Sequence, residues 1–241
     1  MKELSKLLLL SGNDVPFVPA HCSIHQPKLN EIAYMGEGSF HKASHFLIFD
    51  KSDLSNEDKT GLENQSNFNI FMSVLNEPSM NKKADISNIL TLMFPNMEVE
   101  ITERKIILQT ENFESTIEEK NFDDFQDIVR QIFCLGSKDS EQYNPADALA
   151  KKIAEKLKKK PKVQSEAEED KEISIYSRYV SILSVGLKKD MNELLQYTVY
   201  QLNDEFERFR LKNNFDMLMK AKLAGASDTE ELKNWMEDIH S

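Results

Sequence analysis

The last third of the chain, from Glu172 to Ser241, carries apolar residues at helical spacing with almost nothing to interrupt them. That pattern restricts the region to packed amphipathic helices. Tyr176, Tyr179, Val180, Leu183 and Leu187 form a first stripe, which Gly186 and the polar run Lys188-Lys189-Asp190 are expected to break. A longer stripe follows through Leu194, Leu195, Val199, Leu202, Phe206 and Phe209 to Phe215, Met219 and Leu223. Gly225 stands where a helix C-cap is expected, since glycine accepts the left-handed conformation that ends a helix. Ser227 and Glu230 are spaced as a capping box for a last stripe of Leu232, Trp235, Met236 and Ile239. Helices of this kind point to protein contact rather than to catalysis.

A chain of 241 residues with 40% apolar residues and 14 phenylalanines is long enough to bury a real core. Acidic residues outnumber basic ones by 41 to 30, and the net charge of −11 repels polyanions, so nucleic acid is not an expected partner. Cys22 and Cys134 are far apart and read as free thiols of a reducing compartment. The four leucines Leu7 to Leu10 are followed at once by polar residues, too short a run for a signal-peptide core or a membrane span. A cytoplasmic protein is expected.

Three regions are legible. Residues 1–160 read as a mixed α+β region whose start is irregular, because Pro16, Pro19 and Pro27 exclude long helices. Within it, extended segments are expected at Cys22 to Ile24 and Glu31 to Tyr34. Helices are expected at Ser39 to Asp50, Asn67 to Leu75 and Asp85 to Phe94. Met97 to Ile101 alternates apolar and polar residues, Lys105 to Gln109 follows after a turn at Glu103-Arg104, and Phe113 to Ile117 adds a third strand. This predicts a small antiparallel sheet near residues 96–117. Asn121 is placed to cap a helix whose face carries Phe122, Phe125, Val129, Ile132 and Phe133, and Asn144-Pro145 to start another. Residues 161–172 form a charged linker, running from a lysine cluster into Glu166 to Asp170, and 173–241 make the C-terminal helical region. The fold class is α+β, predominantly α-helical, with a C-terminal helical bundle.

The constellations that could carry chemistry are weak. Four histidines, His21, His25, His41 and His45, fall within one short stretch and supply donors that zinc accepts. Position 42 is lysine, so a zinc peptidase base is missing, and no cysteine pair closes a structural site. Gly36-Glu37-Gly38 is half a phosphate loop without its lysine and reads as a turn before a helix. Carboxylate pairs such as Glu98 with Glu100 suit a solvated face in so acidic a chain. The lysines from Lys151 to Lys162 suit the negative end of a helix dipole. No catalytic residue, metal or cofactor is therefore expected, and a metal-dependent enzyme built on the histidines is the remote alternative. The aromatic stripe remains: Tyr200, Phe206, Phe209, Phe215 and Trp235 are the candidate partner-binding residues, since helices rich in Phe, Tyr and Met make both cores and grooves.

Several stretches carry a resemblance. They are Ile24-His25-Gln26-Pro27-Lys28-Leu29-Asn30-Glu31-Ile32 with Gly36-Glu37, and Tyr143-Asn144-Pro145-Ala146-Asp147 leading into Ala150 to Lys156. Arg178 to Leu183, Tyr197 to Leu202 and the ending Trp235 to Ile239 complete the set. Together they resemble a protein encoded among the late tail genes of phages infecting Gram-positive bacteria, similar to the tail assembly chaperone class. The resemblance implies a mostly helical, non-enzymatic protein of the host cytoplasm that holds the tape-measure protein while the tail tube polymerises. It transfers no catalytic residues. Phage tail proteins are the implied partners, with a homo-oligomer among the possible states and no membrane partner. A permanent subunit of the tail or baseplate, present in the virion, is the alternative.

Overall fold

Proline placement shapes the start of the chain. In the computed structural model, which describes residues 3–51, 64–76, 82–135, 175–225 and 235–236, helix α1 (Lys6–Ser11) ends at Gly12, whose φ of +67° suits a residue without a Cβ. Strand β1 (Val15–Phe17) pairs antiparallel with β2 (Cys22–Ile24) through a 3-10 turn at Val18–Ala20. Pro16 is accommodated because the hairpin has only two strands, and Val15, Phe17 and Ile24 are fully buried.

Helix α2 (Leu29–Met35) corrects one expectation, since Glu31 to Tyr34 is helical rather than extended. The cause is local: the Glu31 carboxylate accepts the Lys28 backbone N–H at 2.6 Å, and Leu29 and Ile32 bury one helical face. Helix α3 (Glu37–Leu47) starts and ends slightly before the range the sequence indicated. Helix α4 (Asn67–Leu75) matches it and is capped by the Ser66 hydroxyl, while α5 (Lys83–Met93) starts two residues early.

The expected sheet is present, with β3 (Glu98–Ile101), β4 (Ile106–Thr110) and β5 (Phe113–Ile117) in the order β3-β4-β5, all antiparallel. Register aligns Ile101, Ile106 and Ile117 on the core face and leaves Glu98, Gln109 and Glu114 on the other. Helix α6 (Phe122–Ile132) buries Phe122, Phe125, Val129 and Ile132. The buried Asn121 does not cap it. Its side chain accepts the Glu118 N–H and donates to the Thr116 carbonyl, fixing the turn before the helix. Gln126, also buried, donates to the carbonyls of Leu47 and Phe49 and so satisfies the end of α3.

Helices α7 (Ile175–Leu187), α8 (Met191–Leu194) and α9 (Val199–Leu223) complete the described elements. With nine α-helices and two small antiparallel sheets among the described residues, the protein is a predominantly helical α+β fold. One hydrophobic core runs from Leu9 through Phe40, Phe71, Phe94, Phe122 and Phe125 to Tyr176, Leu183, Leu194 and Leu202. It therefore crosses the sequence position of the expected linker. The segment 161–172 itself, the Asn144-Pro145 helix start and the lysine run lie outside the described residues. The two flanking regions are also tied by hydrogen bonds. Glu37 accepts the backbone N–H groups of Tyr176 and Ser177 at the start of α7, and the N–H groups of Leu29 and Asn30 donate to the carbonyls of Tyr197 and Leu195.

Candidate partner-binding surface

The stripe that reads as one long helix from Leu194 is broken in the structure. Helix α8 stops at Leu194, and α9 starts afresh at Thr198, whose hydroxyl accepts the Gln201 N–H at 3.3 Å while the Gln201 side chain accepts the Thr198 N–H at 2.8 Å. The remaining amide hydrogens of Gln201 reach the Leu10 carbonyl at 2.8 Å, which anchors the root of α9 to α1. This Thr-x-x-Gln box was readable in the sequence and marks the start of the helix that carries the candidate residues.

Helices α7 and α9 cross closely. Gly186 does not interrupt α7, which continues to Leu187. It is instead the residue that admits Phe209, because a Cβ at position 186 would lie 2.3 Å from the tip of that ring. Tyr179 of α7 stacks on Phe206 with ring centroids 3.7 Å apart and planes nearly parallel. Burial raises the Tyr179 hydroxyl pKa, the Glu207 charge adds to the effect, and Arg178 and Arg210 oppose it. Beyond α7, Lys189 reaches the Tyr197 hydroxyl at 2.6 Å and Glu205 at 2.9 Å. Burial works against its charge, yet the hydrogen bonds to Tyr197 and Glu205 and the Glu205 charge prevail and raise its pKa.

The five candidate residues separate along this frame. Tyr200 is 6% exposed and belongs to the core, so it forms no part of an open surface. Phe206 and Phe209 are half-buried against α7 and edge the core. Phe215 is half-buried on the distal part of α9, and Trp235 is half-buried with its carbonyl accepting from Arg208 at 2.7 Å. After Leu202 no described residue of α9 is buried. The distal arm, Leu211 to Leu223, extends for about 20 Å at the helical rise of 1.5 Å per residue. It presents Leu211, Phe215 and Leu218 at helical spacing, with Met217 at 64% and Leu223 at 83% exposure beside them. Val185 of α7, 78% exposed, was not singled out by its sequence position, because a lone valine on an amphipathic helix carries no signal of the face it occupies.

The histidines do not assemble. His25 bridges Asp14 at 2.8 Å and Glu31 at 3.2 Å through opposite ring nitrogens, so the two carboxylates cannot share one ion with it. His41 meets His45 edge-to-face at 4.4 Å. Among the described residues, no three His, Cys, Asp or Glu side chains converge to hold a metal ion. None of the described helices is long and apolar enough to cross a membrane.

The class is thus a predominantly helical α+β protein whose long helix α9 carries, beyond its buried root, half-buried Leu211, Phe215 and Leu218 and exposed Met217 and Leu223. Residues 169–240 match the family described as the YomV second domain. That match covers less than a third of the chain, takes in α7 to α9 and all five candidate residues, and associates the chain with phage proteins. It begins at residue 169, inside the segment 161–172 that the sequence marks as a linker. No curated protein and no solved structure matches.

Proposed function

We propose that the chain is a non-enzymatic tail assembly chaperone of a phage, which binds a tail protein, the tape-measure protein in the first instance, through the face of α9. The observation that carries this reading is the distal half of α9, where the half-buried Leu211, Phe215 and Leu218 share one helical face within the region similar to a phage-derived domain. A long apolar protein awaiting assembly needs its surface masked, and an amphipathic helix can supply the complementary face. Trp235 borders that face, its carbonyl held by Arg208, whereas Phe206 and Phe209 lie on the opposite side of α9 against α7 and Tyr200 lies in the core. The site of action is the host cytoplasm, where tails are assembled.

The test is co-expression with the tape-measure protein of the same genome, followed by co-purification and mass analysis of finished particles. A soluble complex that Phe215→Glu weakens, with the chain absent from particles, supports the proposal. Failure to form a complex, with the chain found in particles, would overturn it in favour of a structural tail or baseplate subunit.

A further inference from the structure

Far from α9 in sequence, α3 carries a side-chain pair that the partner surface does not use. His41 and His45 stand one turn apart on this helix, with ring centroids 4.4 Å apart and ring planes at 80°. His41 is half-buried and His45 exposed, so the pair is open to solvent on one side. His25 commits both of its ring nitrogens to Asp14 and Glu31. Among the described residues, by contrast, neither His41 nor His45 makes a side-chain hydrogen bond. Burial and the His45 charge hold the His41 pKa below 6.5, so its ring is neutral near neutral pH and keeps a lone pair to give.

Two imidazoles at i and i+4 of a helix lie on one face and can reach a single metal ion. Metal–nitrogen bonds of about 2.0–2.1 Å set at about 90° place the two ring centroids about 4.5 Å apart, against about 5 Å for a tetrahedral angle. The observed 4.4 Å matches the right-angled case, which is the geometry of nickel(II) and copper(II). Glu37, one turn before His41, adds a negative charge on the same face. Its carboxylate accepts from Tyr176 and Ser177, so it favours a cation there without being free to ligate one.

We propose that His41 and His45 form a two-nitrogen chelate for a divalent transition-metal ion, nickel(II) or copper(II), with water in the remaining positions. Each ring turns about its side-chain bonds to aim one nitrogen at the ion. Two protein ligands are fewer than the three of a catalytic zinc centre, so the role is structural. The ion staples consecutive turns of α3, the helix whose first turn holds α7 through Glu37. Only the folded chain presents the two rings together, so the bound ion stabilises the fold. This inference does not rest on a tail partner, and it is tested with the purified protein alone.

The test is calorimetric titration of the full chain, without an affinity tag, with nickel(II) chloride. Nickel(II) avoids the oxidation of the free thiols Cys22 and Cys134 that copper(II) would bring. One ion per chain is expected, with a Tm that rises with nickel concentration. His41→Gln and His45→Gln should each weaken binding by about tenfold or more. His21→Asn should leave it unchanged, since asparagine tolerates the φ of +50° at that position. Zinc(II), which favours the wider tetrahedral angle, should bind more weakly than nickel(II). Magnetic resonance of the wild type needs no variant: nickel should broaden the ring protons of His41 and His45 before those of the other histidines. The proposal would be overturned by the absence of heat and of any Tm rise up to millimolar nickel. Binding that survives both substitutions with circular dichroism unchanged, broadening that begins at another histidine, or tighter zinc(II) would do the same.

Discussion

Gly186→Ala sets two effects of known sign against each other. In an exposed helix interior the change from glycine to alanine stabilises by about 0.8–1.0 kcal/mol, through the smaller entropy of the unfolded chain. Here the new methyl would sit 2.3 Å from Phe209 Cζ and 2.6 Å from Cε2. Ordinary carbon contacts lie at about 3.5–4.0 Å, so the ring must retreat by more than an ångström or α7 must shift. Overpacking of this kind costs about 1–3 kcal/mol, and the net expectation is a loss of about 0–2 kcal/mol. The background Phe209→Ala removes the clash, and there Gly186→Ala should stabilise by about 1 kcal/mol. Phe209→Ala alone, from a half-buried site, should cost about half the 3–5 kcal/mol of a fully buried phenylalanine. Urea denaturation of the four proteins closes a double-mutant cycle with an expected coupling of about 1–3 kcal/mol. A zero coupling, with Gly186→Ala stabilising the wild type, would refute the account of the α7–α9 crossing.

Three further outcomes are expected. Burial pushes the Cys22 thiol up to about 11 and the Cys134 thiol up to about 12, so both should react slowly with Ellman's reagent at mildly alkaline pH, Cys134 the slower, with two thiols appearing in denaturant. Thr198→Ala should lower stability by about 1 kcal/mol in urea titration while Thr198→Ser retains most of it; equal losses would show that the capping hydroxyl is not what matters. The His41 pKa is lowered from 6.5 by burial and by the His45 charge, against the opposing pull of Glu37. The unfolded chain then binds more protons as pH falls below 6.5, so stability should decline on acidification through that window and His41→Gln should flatten the pH dependence of Tm.

What the sequence yields and withholds follows from the range of the forces involved. Strands β3 to β5 and helix α6 are legible because their patterns are local: alternation in Glu98–Ile101, a turn at Glu103-Arg104, and Phe122, Phe125, Val129 and Ile132 on one stripe. Helix α2 is missed although the signal is present, since Glu31 three residues after Lys28 is the carboxylate of a helix start. The restart of α9 is hidden by an apolar pattern that runs through Leu194 and Leu195 without a break in composition, with Thr198 and Gln201 as the overlooked marker. Gly186 reads as a helix breaker because its reason for being glycine is a ring 23 residues later, which no local pattern contains. For the candidate surface, periodicity gives the stripe but not where the body beneath it ends. Tyr200 and Phe215 sit on the same helix, yet only the root of that helix is buried.

The carboxylate that terminates α7 at its amino end belongs to Glu37, 139 residues upstream of Tyr176. Closing so wide a loop is slow compared with forming a local turn. During synthesis α3 leaves the ribosome long before α7 exists. The start of α7, and with it the crossing that α7 makes with α9, therefore depends on a partner that no neighbouring stretch of the chain supplies.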